Sequence, residues 1–469
     1  MSKCTSHERA ASSIRPMALR HTLRFWIWEG VLAQPLVYLN QPGNFVLATL
    51  LAGTLALDPA TYGALLSIPF WCNVVQLLLS PLLARYWSAR GIMLSCMWAT
   101  VVSWLAVYAV LDRYAESHGS VKWFAVTFSI ACLLTSITGV AWTALMQRVV
   151  PNVARGVYFA RRNRICQLAL LAFILATVAV TEIFGRAVPV FCGVIAFACL
   201  TRAASIMFAH RTAVLPPEIR QPVPLTAQFS SLRQQRPFLL FVACGALWGM
   251  TANFAAPFLP VFFLRELHWS NLQVGAFFLA SLLVGAMAFP GWGKLIQQHG
   301  ARPAMFVALA LWSVTNVCWV LITPAHTALP YLLSGVTGAA NAGIVLCNFN
   351  LILKLMPPTA RAMAVGLNTA ITSLATALAP IAAGVLLSWS QEEGWNAVAG
   401  YRWLFIGQIL PAAATALLLI RIREPATSSL QHALGAMRNI RTLGAVLGLG
   451  FLFEHLFPAP TPPKTKGRV

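Results

Sequence analysis

Residues 92–112 read IMLSCMWATVVSWLAVYAVLD, a run free of charge up to Asp112 with Arg90 before it and Arg113 after it. A helix rises about 1.5 Å per residue, so about 20 such residues cross a hydrocarbon core roughly 30 Å thick. Eleven more runs of this kind follow the same rule. Predicted helices lie at 25–55, 61–84, 92–112, 122–147, 164–184 and 188–210, then at 238–264, 271–296, 302–323, 328–354, 362–388 and 401–421. The fold class is therefore an all-α membrane protein with twelve transmembrane helices.

Composition agrees. The 469 residues are 58% hydrophobic and only 10% charged, where a soluble domain carries about 25% charged residues. A net charge of +21 does not describe a nucleic-acid surface, because the Lys and Arg residues sit in short segments between apolar runs. The ten cysteines fall mostly inside those runs, without metal-ligand spacing, and read as packing residues. No phosphate-binding glycine loop, metal cluster or nucleophile motif is present, so the chain is read as neither an enzyme nor a cofactor protein.

The basic residues set the topology. One side of the alternating loops collects the N-terminal tail, Arg85, Arg90, the group Arg148, Arg155, Arg161, Arg162 and Arg164, then Arg211, Arg220, Arg233, Arg236, Lys294, Arg302, Lys354, Arg361 and the C-terminal tail. The other side holds Arg113, Lys122, Arg186, Arg265 and Arg402. Loops of the first set are expected in the cytoplasm, with both termini there, in an inner (plasma) membrane. The domain reading is a tail at 1–24, a six-helix half at 25–210, a Pro-rich linker at 211–237, a second half at 238–421 and a tail at 422–469. Within that last tail, 443–457 (LGAVLGLGFLFEHLF) is too short to span and is expected to lie at the interface.

The halves repeat. A shift of 213 positions lays the first helix on the seventh, the second on the eighth, and the loop Ser80–Trp87 on Gly293–Gly300. The second copy, Gly293-Lys294-Leu295-Ile296-Gln297-Gln298-His299-Gly300-Ala301-Arg302, resembles the loop motif Gly-x-Leu-Ala-Asp-Arg-x-Gly-Arg-Arg of the major facilitator superfamily. Gly293, Leu295, Gly300 and Arg302 match, while Gln297 and Gln298 replace the acid and the first base. In the first copy Leu82 and Arg85 match and Ala84 stands at the acid. The stretch Arg155-Gly156-Val157-Tyr158-Phe159-Ala160-Arg161-Arg162-Asn163 after Pro151 is similar to one in a poorly characterised bacterial branch of that superfamily, and Pro358, Arg361 and Asn368 echo it. The resemblance implies the major facilitator fold, two pseudo-symmetric six-helix halves, and transport. The family uses the missing acid in a cytoplasmic latch, so Arg85, Gln297 and Arg302 are candidate gating residues.

Transporters of this architecture bind solute near the midplane, where helices are broken. The first helix has such a break at Tyr38-Leu39-Asn40-Gln41-Pro42-Gly43-Asn44, since Pro42 cannot donate to the ladder and Gly43 bends freely. Asn40, Gln41 and Asn44 are candidate substrate ligands, against the alternative that they brace the kink. Trp248 and Asn253 lie at the repeat-related place before Pro257 and Pro260, with Asn253 falling on Asn40. Asn341 lies in the Gly- and Ala-rich stretch Ser334–Asn341. Charges inside helices are costly; Glu29 is read first as a partner for a loop Arg and second as a coupling carboxylate, and Arg202 as an anion ligand or a snorkelling base.

The function expected is secondary transport of a small, polar, uncharged or anionic solute by alternating access, with a proton or sodium ion as the candidate coupling ion. The alternative is an exporter of amphiphilic or lipid-like compounds; a receptor or membrane enzyme ranks last. The bilayer is the expected surrounding, the chain is expected as a monomer, and no nucleic-acid partner is expected.

Overall fold

Backbone inside a bilayer finds no water to bond, so a spanning chain must satisfy its own amides and carbonyls. The computed structural model, which describes residues 16–114, 120–150, 152–212, 230–322, 328–356, 361–422, 424 and 430–449, is helical in every element, with no strand among the described residues. Among the described residues, eleven helices are long and apolar enough to cross a membrane. The twelfth span is the first in sequence, divided by its break into α1 (Pro16–Leu39), α2 (Phe45–Ala48) and a π-helical turn at Thr49–Thr54. Residues 16–24, expected as tail, are the opening turns of α1.

The rest of the first half is α3 (Pro59–Tyr86), α4 (Ala89–Tyr114), α5 (Ser120–Val149), α6 (Asn152–Ile183) and α7 (Val188–His210). The seventh span is α8 (Arg236–Ala255), a 3-10 turn at Ala256–Phe258, and α9 (Leu259–Arg265). Then come α10 (Asn271–His299), α11 (Ala301–Val320), α12 (Leu329–Leu355) and α13 (Arg361–Glu392). The last span is α14 (Ala397–Gly407) with α15 (Ile409–Arg421), and two short helices follow, α16 (Leu430–Ala436) and α17 (Ile440–Val446). Large apolar side chains such as Leu78, Leu200 and Leu410 are exposed, as lipid contact requires.

Packing divides the chain into two compact units. The first is Met1–Ser230 with Ala246–Gly275 and Ala362–Leu404; the second is Ser231–Gly245 with Ala276–Arg361 and Phe405–Val469. This is a division by packing, whereas 25–210 and 238–421 is one by repeat. In the first unit α4 packs on α5 and α7, and α1 on α6 and α7; in the second, α11 packs on α12 and α15. The pairs α4–α5 with α4–α7 and α11–α12 with α11–α15 are the same pairs under the internal shift.

Glycine sets the closest approaches. In the first unit a Cβ on Gly63 or Gly384 would collide with the backbone oxygen of Pro380 or of Pro59, so α3 and α13 touch backbone to backbone. In the second, Gly338 meets the Ser281 carbonyl and Gly343 the Trp292 indole, whose Nε1 donates to Ala339 O at 2.8 Å. The stretch 443–449 runs beside α10: Gly291 lies against the Ala445 carbonyl, and Gly448, at φ +80°, sits beside Val284. Residues 450–457 of that stretch are outside the described residues.

Candidate functional site

The break in the first span is built by its own side chains. Gly43 takes φ +67°, the left-handed region that a β-carbon disfavours. Asn44 then caps α2, accepting from the Leu47 amide at 2.8 Å, while its Nδ2 donates to Gln41 O at 2.6 Å. The Tyr38 hydroxyl accepts from the Phe45 amide at 3.0 Å. Asn44 is thus occupied as a cap, and it braces the kink rather than presenting its amide to a solute.

Asn40 is likewise spent on packing. Its Nδ2 donates to Leu36 O at 2.8 Å and its Oδ1 accepts from Trp104 Nε1 at 3.3 Å and from the Cys132 thiol at 3.6 Å. Asn40 is buried and turns into the first half. Asn253 donates to Gly249 O at 2.9 Å, leaving its Oδ1 without a bond among the described residues. Gln41 is exposed at mid-span, and its carboxamide makes no side-chain bond among the described residues. Trp248, shortly before Asn253 in sequence, is half-buried.

The two repeat-related breaks meet. A Cβ on Gly43 would lie 3.2 Å from Pro257 Cα, and the buried Tyr62 hydroxyl donates to Pro257 O at 3.0 Å. Pro257 sits in the 3-10 turn that divides α8 from α9, at the position the internal shift predicts. Two interrupted helices, each with carbonyls freed from the ladder, therefore adjoin inside the first unit.

The helix ends beyond these breaks are clamped, all within the first unit. The π-turn sends the Leu55 amide to Leu50 O and the Leu57 amide to Leu51 O. The Arg265 guanidinium binds what remains: Nε and Nη2 both donate to Ala52 O, the former at 3.0 Å, and Nη2 reaches Leu57 O at 3.2 Å. Thr54 Oγ1 donates to Arg186 O at 2.7 Å, and Arg186 donates to Trp269 O at 3.4 Å. Beside the clamp, burial raises the Glu266 carboxyl above its ordinary range against the opposing pull of Arg265 and His268. Asp58 caps α3 through the Thr61 amide at 2.8 Å; burial pushes its carboxyl up, but the bonds from Thr61 prevail and hold it low. Sequence reasoning missed Arg265, Arg186, Tyr38 and Tyr62 as structural actors. The signal available was that Arg186 and Arg265 are among the five bases that break the charge pattern.

At the other end of the first unit, Glu29 is buried and shared: Arg162 Nη2 lies 3.2 Å from one carboxylate oxygen and Arg202 Nη1 3.3 Å from the other. Arg162 Nε also donates to Trp26 O at 3.2 Å, and the Tyr158 hydroxyl donates to Leu23 O at 3.1 Å. The Tyr158 and Arg162 positions of the sequence motif thus stitch α6 to α1. The side chain of Arg85 is outside the described residues, as is Pro358.

In the second unit, Gln297 is exposed near the end of α10. The acid at the start of α11 is Glu424, which accepts from the Arg302 amide at 2.7 Å and from Lys354 Nζ at 2.6 Å, while Arg302 Nη1 donates to Ile422 O at 2.9 Å. Carboxylate oxygens at a helix N-terminus meet amides that lack acceptors. Asn341 is exposed at the middle of α12, off the glycine face that packs on α10. No group of His, Cys, Asp and Glu among the described residues is arranged to hold a metal.

Residues 244–461 match the sequence profile of the Major Facilitator Superfamily. No curated protein sequence matches the chain. Solved structures share its fold: a mutant of the nucleoside transporter NupG superposes with TM-score 0.66 at 14% identity, covering 87% of this chain and 100% of the other. A bacterial homologue of the iron transporter ferroportin, in an inward-facing state, gives 0.62 at 13% over 87% and 98%. A bacterial homologue of the human lysosomal transporter Spinster gives 0.58 at 13% over 88% and 100%. The chain shares the fold of these solved structures, with eleven helices among the described residues long and apolar enough to cross a membrane.

Proposed function

We propose that the protein carries a small polar, uncharged or anionic solute by alternating access, binding it beside the paired helix breaks. The observation that carries this reading is the meeting of Gly43 and Pro257, with Gln41 and the Asn253 oxygen unspent next to them. A carboxamide exposed at mid-span is costly against lipid and at home in a water-filled cavity. Gln41 offers both donors and an acceptor, and Asn253 an acceptor. Asn40 and Asn44 hold the break in shape.

The loops rich in Lys and Arg support a cytoplasmic linker and cytoplasmic termini. In that orientation the Arg265 clamp lies at the outer ends of the spans. The clamp must open for solute to enter from outside, and guanidinium-to-carbonyl bonds, at about 1.5–3 kcal/mol, part more readily than a buried ion pair. Glu29, paired with two guanidinium groups, is proposed as a fixed joint rather than a coupling carboxylate.

The test is thermal unfolding of the purified chain against a panel of nucleosides, organic anions and amphiphiles, repeated on Gln41→Ala and Asn253→Ala. A solute that stabilises the wild type and loses roughly tenfold in affinity in either variant, about 1.4 kcal/mol, supports the site. Equal stabilisation of wild type and both variants would remove these residues from it.

A further inference from the structure

The Glu29 cluster has a charge imbalance that the transport reading does not use. Glu29 is the only acid between residues 9 and 57, and none occurs between Glu116 and Glu182, a stretch holding Arg148, Arg155, Arg161, Arg162 and Arg164. One carboxylate therefore faces two guanidinium groups, with side chains only 4% exposed for Glu29, 7% for Arg202 and 13% for Arg162. The cluster is left one positive charge in excess, in surroundings of low dielectric where an uncompensated charge is costly.

The donors around it are also in surplus. Arg202 spends only Nη1, on Glu29 and on Ser205 Oγ at 3.3 Å each. Its Nε and Nη2, and Nη1 of Arg162, donate to no acceptor among the described residues. Ser205 Oγ is itself committed to Glu29 O at 3.0 Å. Two indoles flank Arg162: Trp26, fully buried, gives it a carbonyl, and Trp142 lies under its guanidinium at 4.5 Å. The Nε1 of each indole is buried without a hydrogen-bond partner. Every unspent group in the cluster is a donor, and the net charge is positive.

We propose that this cluster of α1, α5, α6 and α7 binds a phosphate-bearing anion, at a site separate from the helix breaks. A phosphate supplies several acceptor oxygens and at least one negative charge, which matches guanidinium forks and indole N–H groups together. Gly30 is what admits Arg162 to this position, because a Cβ there would overlap its guanidinium. The phosphate is that of a free anion or of an anionic lipid headgroup, two sources of one chemistry.

The experiment measures thermal unfolding of the full purified chain with inorganic phosphate against chloride at equal ionic strength. The same measurement is made in phosphatidylcholine nanodiscs with and without phosphatidylglycerol. Wild type, Arg202→Gln and Glu29→Gln are compared. The proposal expects wild type to be stabilised by phosphate or by phosphatidylglycerol, with affinity roughly tenfold weaker in Arg202→Gln. It expects Glu29→Gln to gain affinity, because the competing carboxylate is gone. Response to phosphate identifies a free anion, and response to phosphatidylglycerol alone identifies a lipid. If wild type responds to neither, or if Glu29→Gln responds no more strongly than wild type, the site does not exist. That arm does not depend on how well Arg202→Gln folds.

Discussion

The two ends of the first unit are tied by opposite chemistry. At the end nearer the linker, Glu29 joins α1 to α6 and α7, helices of one sequence half, through two buried ion pairs. At the other end, Arg265 of α9 holds the π-turn of the first span through neutral carbonyls, and Tyr62 of α3 does the same to Pro257. A buried ion pair is expensive to part, since each separated charge must be resolvated or stranded. A guanidinium on carbonyls parts at about 1.5–3 kcal/mol, less than the roughly 3–5 kcal/mol of a broken buried pair. The difference places a permanent joint within one half and a releasable one between halves.

Breaking the permanent joint is expected to have the largest effect. Glu29→Gln strands two buried guanidinium groups and should destabilise the chain by about 3–5 kcal/mol, read as a lowered unfolding temperature in buffers free of phosphate and anionic lipid. A stability equal to wild type there would mean that the carboxylate is not holding these helices.

Arg265→Ala comes next, at about 1.5–3 kcal/mol for bonds from a charged donor. Its more telling readout is access: a cysteine at Asn253 should react faster with membrane-impermeant reagent from outside in Arg265→Ala than in its absence. Arg265→Lys should fall between, because an ammonium cannot fork onto Ala52 and Leu57 together. Unchanged labelling in Arg265→Ala would show that the clamp does not govern access.

Tyr62→Phe removes one neutral hydrogen bond and leaves the ring against Phe258, so about 1 kcal/mol is expected. A cost as large as that of Arg265→Ala would mean that α3, not the π-turn, carries the clamp.

The smallest effect is a pH dependence at Glu266, whose folded carboxyl titrates above its ordinary value of 4.5 because of burial. The folded state then binds its proton more tightly than the unfolded chain does. Stability should therefore fall as pH rises from about 4.5 through the raised value, and be restored on acidification. Glu266→Gln should flatten that slope in a melting series from pH 4 to 7; an identical slope would assign it to another group.

The spans and the charge asymmetry were legible in residues such as 92–112 with Arg90 and Arg113, because crossing a bilayer constrains length and polarity locally. The break in the first span was legible too, since Pro42 and Gly43 act on their own backbone, whereas the 3-10 turn at Ala256–Phe258 was seen only in the structure. Which amide serves which purpose was decided by tertiary structure. Asn40, Gln41 and Asn44 are chemically alike in sequence, yet Trp104 and Cys132 claim the first, the Leu47 amide the last, and only Gln41 is left unspent. The same holds for charge. Composition placed Glu29 and Arg202 inside helices, but their pairing, with Arg162 as third member, depends on helices more than 130 residues apart in sequence. Local pattern fixes where a chain enters the membrane and bends, whereas a side chain's partner is set by whichever helix packs against it, and that is a property of the folded bundle alone.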